Sequence, residues 1–261
     1  MKKNYRVKHD GLPRGIYILP NLFTSLNIFF GFYAVISSIN GNFVTAAIAV
    51  LIAFLFDALD GKIARATNTT SRFGVEYDSL ADLVSFGLAP GLMMYLWVLQ
   101  PLGRLGWLAS FLFMACGALR LARFNTQAAS VSNDHFVGLP IPAAAGMVAT
   151  TVLLCHRMGL GSSANKIYIL IELYILSFLM VSSIKYNSFK KPELFKKMNF
   201  NVLVSVLLIL IFIAAQPAIA LFLLSLSYVV SGPFNFLLRY RKLKRKKADA
   251  RKTDEHRKSP I

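Results

Sequence analysis

Charge is scarce in this chain. Only 16% of its 261 residues are Asp, Glu, Lys or Arg, and residues 15–56 and 198–238 contain none at all. Soluble domains carry about a quarter charged residues, so an ordinary soluble domain is excluded. Each uncharged run is long enough to cross a ~30 Å hydrocarbon layer twice. Cysteine is nearly absent: Cys116 and Cys155 stand apart in apolar stretches without metal-ligand spacing. That excludes a disulfide framework and leaves two thiols that act as small hydrophobes. Four histidines, His9, His135, His156 and His256, form no cluster. What the chain has in abundance is apolar surface, at 56% hydrophobic residues and a mean hydropathy of +0.54. It is a polytopic membrane protein.

Hydropathy and helix breakers together predict an all-α transmembrane bundle of about eight spans. They fall near 17–39, 43–66, 78–99, 105–124, 140–157, 167–184, 200–215 and 217–238. Asn40-Gly41-Asn42 turns the first hairpin and Gln216-Pro217 the last. Pro140 and Pro142 suit the opening turn of the fifth span, where a missing N–H costs little, whereas Pro90 inside the third should kink it. The chain divides into a basic segment at 1–16, a membrane domain at 17–238 and a polybasic tail at 239–261.

The sign of the charge orients this bundle. All but Arg104, Arg157 and Lys166 of the 29 Lys and Arg fall on the side of the two termini. The positive-inside rule then puts both termini in the cytoplasm, as in a bacterial inner or plasma membrane. Most of the net charge of +17 is therefore a membrane feature, and the tail should lie against anionic membrane lipids. Nucleic acid is not expected as a partner, because no aromatic-interleaved basic domain accompanies the tail.

Four aspartates break the apolar pattern. Asp57 and Asp60 lie on the second span, about two turns from its cytoplasmic end, and Asp78 and Asp82 in the first turns of the third. Carboxylates at that depth are costly, and a purely structural role would need a cation for each. Only Lys62, Arg65 and Arg72 are near in sequence. At ~100° per residue, Asp57, Asp60, Gly61 and Ala64 occupy one wedge, and Gly74, Asp78 and Asp82 share a stripe if the third helix begins early. Convergent carboxylates without His or Cys favour a hard cation, Mg²⁺ or Mn²⁺, over Zn²⁺. Two such ions ~3.5–4 Å apart can clamp both sides of a phosphoryl displacement. Gly61, Ala64 and Gly74 either leave room for a bulky ligand or let neighbouring helices touch. A buried aspartate cluster is also what a divalent cation transporter would carry.

The run D-x-x-D-G-x-x-A-R followed, after eight residues, by G-x-x-x-D-x-x-x-D resembles the signature of the CDP-alcohol phosphatidyltransferases. Asp57, Asp60, Gly61, Ala64, Arg65, Gly74, Asp78 and Asp82 fill every fixed position. The resemblance implies that Asp57, Asp60, Asp78 and Asp82 hold two divalent ions on the pyrophosphate of a CDP-linked lipid. It also implies that Asp82 is the base on the incoming alcohol, that Gly61, Ala64, Arg65 and Gly74 help seat the nucleotide, and that the enzyme is a homodimer. The membrane domain would then be the catalytic domain.

Further segments are similar to the branch of that family that takes CDP-diacylglycerol and L-serine: PNLFTSLN at 20–27, DSLADLVSFGLAP at 78–90, ALRLARFN at 118–125 and GLPIPAAAG at 138–146. Phosphatidylserine and CMP would be the products. Glycerol 3-phosphate, an inositol phosphate or an amino alcohol are the other acceptors this chemistry allows. Serine brings a carboxylate, for which Arg120 and Arg123 are the candidate forks; the alternative is two helix-end cations facing a dipole and lipid phosphates. Asn125 and Ser85 are further candidates for the acceptor pocket. Asn21, Thr24 and Asn27 follow one path along the first span, suited to interhelical hydrogen bonds or to the nucleotide. Glu172 is expected to pair with Lys166 or to reach outward.

Overall fold

The structure is a computed structural model and describes residues 18–67, 71–127, 135–161, 164–187, 204 and 214–258. Helix α1 (Ile18–Ile39) and α2 (Phe43–Ala66) form a hairpin, turned where Gly41 takes φ 76°, a left-handed conformation that suits glycine. The buried apolar residues of α2 are Ala46, Ala47, Ala49, Val50 and Ala53. Small side chains at this spacing let α1 and the later helix at Ile141–Arg157 approach closely. One and two turns beyond Ala53 the same face carries Asp57 and Asp60, so the packing that buries the alanines also turns the aspartates inward.

The next crossing runs from Arg72 to Leu102 and is not one regular helix. Helix α3 (Arg72–Asp82) leads into π-helical turns at Leu83–Leu88, then α4 (Ala89–Met94), further π turns at Tyr95–Leu99 and a 3₁₀ turn at Gln100–Leu102. It starts at Arg72 rather than at 78, because the Ser71 side chain caps it, accepting from the Gly74 amide at 3.0 Å. A hydropathy window misses that polar first turn. The disruption expected at Pro90 takes the form of the wide turns just before it, where a prolyl ring would otherwise collide with the preceding turn.

Gly31 of α1 faces those wide turns. Ser85 is fully buried there and donates to the Asn27 carbonyl at 2.9 Å. A Cβ on Gly31 would sit 2.7 Å from the Ser85 Cα, a backbone overlap that no rotamer change relieves. Overpacking of this kind costs about 1–3 kcal/mol. Gly31→Ala should therefore lower the melting temperature by several degrees, and a variant that melts like the parent in a detergent thermal scan would contradict this contact.

Helix α5 (Arg104–Gln127), α6 (Ile141–Arg157), α7 (Lys166–Val181) and α8 (Pro217–Lys258) complete the described helices. Pro140 caps α6 and Pro142 lies in its first turn, as expected. Among the described residues, two three-residue strands, too short to show any sequence period, are the one departure from an all-α chain. β1 (His135–Val137) and β2 (Lys185–Asn187) pair antiparallel, with Phe136 opposite Tyr186. The Gly138 amide donates to the Ile184 carbonyl at 2.8 Å and the Leu139 amide to the Leu179 carbonyl at 2.9 Å. These bonds tie the start of α6 to the end of α7.

Among the described residues, five crossings are long and apolar enough to span a membrane: Leu19–Ile39, Phe43–Ala66, Arg72–Leu102, Arg104–Thr126 and Pro217–Leu238. α6 and α7 are shorter, at 17 and 16 residues. The span expected at 200–215 lies outside the described residues except at 204, 214 and 215, as does the basic segment 1–16. α8 continues unbroken from its apolar stretch into the basic tail. Outward-facing Phe29, Phe32, Phe111 and Phe178 are exposed, as lipid-facing side chains would be. The chain is an integral membrane protein.

The reading of Glu172 needs correction. It lies six residues from Lys166, about 240° around the helix at ~100° per residue, so the two face apart. Its carboxyl instead meets the Thr151 hydroxyl of α6 at 2.8 Å.

Candidate active site

The four aspartates come together near one end of the bundle, where the last third of α2 meets α3. Asp57, Asp60 and Asp78 each offer an oxygen within 4.8 Å of the others. Asp82 lies beside them, close enough for its carboxylate to interact with those of Asp57 and Asp78. Asp60 and Asp82 are buried, at 4% and 8% exposure, while Asp57 and Asp78 are partly open.

Neutral donors on α1 hold two of these carboxylates. Thr24 donates to Asp60 Oδ2 at 2.9 Å, and Asn27 donates through Nδ2 to Asp82 Oδ1 at 3.3 Å. Helical spacing on the first span allowed interhelical hydrogen bonds for these residues; that they would receive the aspartates could not be read without the packing. Ser25 and Tyr77 also join α1 to α3, at 2.9 Å. Arg65 and Arg120 act on the cluster electrostatically. Asp78 Oδ1 is buried with no hydrogen-bond partner among the described residues. An unpartnered buried carboxylate oxygen beside two other carboxylates is chemically suited to a hard cation, so the donor set fits Mg²⁺ or Mn²⁺.

The other candidates separate by surroundings. A Cβ on Gly61 would meet only the head of Arg65, at 3.5 Å and beyond. Among the described residues no neighbouring helix needs that glycine to be small. Gly74 is tighter, with Ser71 Oγ and Asn21 Oδ1 at 3.2 and 3.6 Å from such a Cβ. Ala64 is half-buried and Arg65 exposed on the same part of α2.

Arg120 and Arg123, equal in the sequence, differ in place. Arg120 is close enough to Asp82 and Asp57 for their charges to interact, and its Nε is buried without a hydrogen-bond partner among the described residues. Arg123, one turn nearer the helix end, donates to the Val181 carbonyl at the end of α7, at 3.5 Å. Asn125 donates to Glu76 at 3.2 Å and to Ser79 at 3.0 Å, joining α5 to α3. Ser85 is spent on the Asn27 carbonyl.

Apolar crossings that enclose a carboxylate cluster define a membrane-embedded protein with an acidic site suited to divalent cations. The chain belongs to the CDP-alcohol phosphatidyltransferase family, whose model matches residues 17–179, and it is a transferase. That family depends in general on divalent metal. The chain is 39% identical over 222 residues to a CDP-diacylglycerol–serine O-phosphatidyltransferase of Helicobacter pylori, covering 85% of this chain and 92% of that one. It is 36% identical over 173 residues to the enzyme of the same name from Bacillus subtilis, covering 66% and 92%. An archaetidylserine synthase of Methanothermobacter thermautotrophicus is 38% identical over 170 residues, covering 64% and 69%.

Proposed function

We propose that this chain transfers the phosphatidyl group of CDP-diacylglycerol to the hydroxyl of L-serine, giving phosphatidylserine and CMP. The observation that carries the chemistry is the convergence of the motif carboxylates from α2 and α3 within 4.8 Å. The similarity to CDP-diacylglycerol–serine O-phosphatidyltransferases supports serine as acceptor.

Asp57, Asp60, Asp78 and Asp82 are the residues that would hold the cations. Two Mg²⁺ or Mn²⁺ ions bound there would neutralise the pyrophosphate and stabilise CMP as it leaves. Gly61, Ala64, Arg65 and Gly74 seat the nucleotide: the open face at Gly61 admits it and Arg65 meets its phosphates. Asp82, whose charge acts on Arg120, takes the proton from the serine hydroxyl, and Arg120 receives the serine carboxylate. Arg123, Asn125 and Ser85 support the site through the partners named above.

The site faces the cytoplasm of the plasma (inner) membrane, with eight spans and both termini inside. Acyl chains then stay in lipid while CMP leaves to water. The skew of Lys and Arg to one side supports this orientation, and the basic tail rests on anionic lipid. A homodimer is proposed on family resemblance alone.

The test is CMP release by purified enzyme from CDP-diacylglycerol, with and without serine. Release that depends on serine is expected; release with glycerol 3-phosphate and none with serine would overturn the acceptor assignment. Gly61→Ala tests the nucleotide site separately. It should melt within about 2 °C of the parent, since its Cβ meets no neighbouring helix, while the KM for CDP-diacylglycerol rises roughly tenfold, an effect of about 1.4 kcal/mol. An unchanged KM would remove Gly61 from the nucleotide site.

A further inference from the structure

Asn27 of α1 grips the third crossing twice. Its side chain donates through Nδ2 to Asp82 Oδ1 at 3.3 Å, and its backbone carbonyl accepts from the Ser85 hydroxyl at 2.9 Å. Asp82 and Ser85 lie three residues apart, where α3 gives way to the wide turns at Leu83–Leu88. Gly31, four residues along α1 from Asn27, makes the second grip possible. A Cβ there would lie 2.7 Å from the Ser85 Cα and 2.8 Å from its Cβ, so a larger residue would push Ser85 away from the carbonyl. The Asp82 carboxylate is thereby held against α1 through the backbone of both helices as well as through a side chain.

The amide sits there at a cost to the fold. An ionised carboxylate can only accept hydrogen bonds, so the amide must turn its NH₂ towards Asp82. Its own Oδ1 is then left buried with no hydrogen-bond partner among the described residues, in a side chain that is fully buried. A buried acceptor without a partner is destabilising, so stability alone does not account for an asparagine at this position. Thr24, one turn earlier, carries no such unpaired atom: its hydroxyl meets the Pro20 carbonyl at 3.2 Å as well as Asp60.

We propose that Asn27 is a positioning residue for the transfer: it holds Asp82 by Oδ1, so that Oδ2 is left to take the acceptor's proton. The proton leaves the hydroxyl for Asp82 as the hydroxyl oxygen bonds to the phosphatidyl phosphorus. The bond from that phosphorus to the CMP oxygen breaks in the same transfer. Being neutral, the amide fixes the carboxylate without cancelling its charge. A base free to turn among its neighbours loses this alignment, and a misplacement of about 1 Å can cost roughly a hundredfold in rate. The inference rests on the transfer reaction proposed above and holds for whichever alcohol accepts.

The experiment is steady-state CMP release by the full-length enzyme in mixed micelles, with Mn²⁺ binding measured by calorimetry in the absence of substrates. Asn27→Leu fills similar space without a donor. Its kcat should fall about 30- to 100-fold, with the KM values for CDP-diacylglycerol and serine and the Mn²⁺ affinity all within about threefold of the parent. A kcat within threefold would overturn the inference. So would a loss of kcat matched by an equal loss of Mn²⁺ affinity, which would make Asn27 a support of the cation site. Should Asn27→Leu not fold, melting temperatures of a second set decide. Asn27→Asp sets two carboxylates together, and adding Asp82→Asn restores a donor–acceptor pair with its polarity reversed. Asp82→Asn should therefore raise the melting temperature more in the Asn27→Asp background than in the parent, while transfer stays lost because the carboxylate now stands on α1. Equal shifts in both backgrounds would show that the side chains do not pair, and restored transfer would show that the carboxylate's place is immaterial; either overturns the inference. Failure of the serine reading shows in the parent alone, as CMP release that needs another alcohol, and the same ratios measured with that alcohol then decide.

Discussion

Asp82→Asn should abolish phosphatidyl transfer while leaving the enzyme folded and able to bind CDP-diacylglycerol. The carboxylate is buried at 8% exposure and held by Asn27, so the isosteric amide keeps the shape and can still accept that hydrogen bond. What it loses is basicity. Removing a positioned general base costs about 10²–10⁴ in rate, and at this residue a cation ligand would be weakened as well. The expected result is CMP release reduced at least about a thousandfold, with CDP-diacylglycerol affinity within about threefold of the parent. Activity retained within tenfold would show that Asp82 is not the base.

Asp78→Asn should be nearly as damaging for a different reason. Its Oδ1 is the buried oxygen without a protein partner, and Asp57 and Asp60 lie within 4.8 Å of it. Losing one charged ligand from such a set should cut turnover about 10²–10³-fold, the scale of other lost electrostatic contacts to a transition state. Raising Mn²⁺ should restore part of that loss. Stability should move the other way, because the substitution removes one of several mutually repelling charges from a buried cluster. In metal-free buffer the variant should melt at or above the parent's temperature. A variant that melts lower and shows no rescue by Mn²⁺ would make Asp78 a structural residue.

Local chemistry made much of this legible in the sequence. The aspartates, their spacing and the glycines between them lie within 26 residues of chain, and helical periodicity puts Asp57 and Asp60 on one stripe and, given an early start of the third helix, Asp78 and Asp82 on another. The start of α3 at Arg72, needed for the second stripe, was conditional in the sequence and is explained by the Ser71 cap. Contacts between distant segments were not legible. Arg120 and Arg123 carry the same charge one turn apart, and only the packing shows one beside Asp82 and the other on the end of α7. Tyr186, which packs against Tyr228 of α8, is delivered by a three-residue strand whose partner lies some fifty residues earlier. Glu172 was misjudged because Lys166 was the nearest base in sequence, whereas Thr151 is the group across the helix interface.

The most direct test of the central claim is anomalous diffraction from crystals grown with Mn²⁺ and CDP-diacylglycerol. Two manganese peaks are expected among Asp57, Asp60, Asp78 and Asp82, with the lipid pyrophosphate against them and at least one peak weakened in Asp78→Asn. Manganese bound elsewhere, or a pyrophosphate seated away from these four carboxylates, would contradict it.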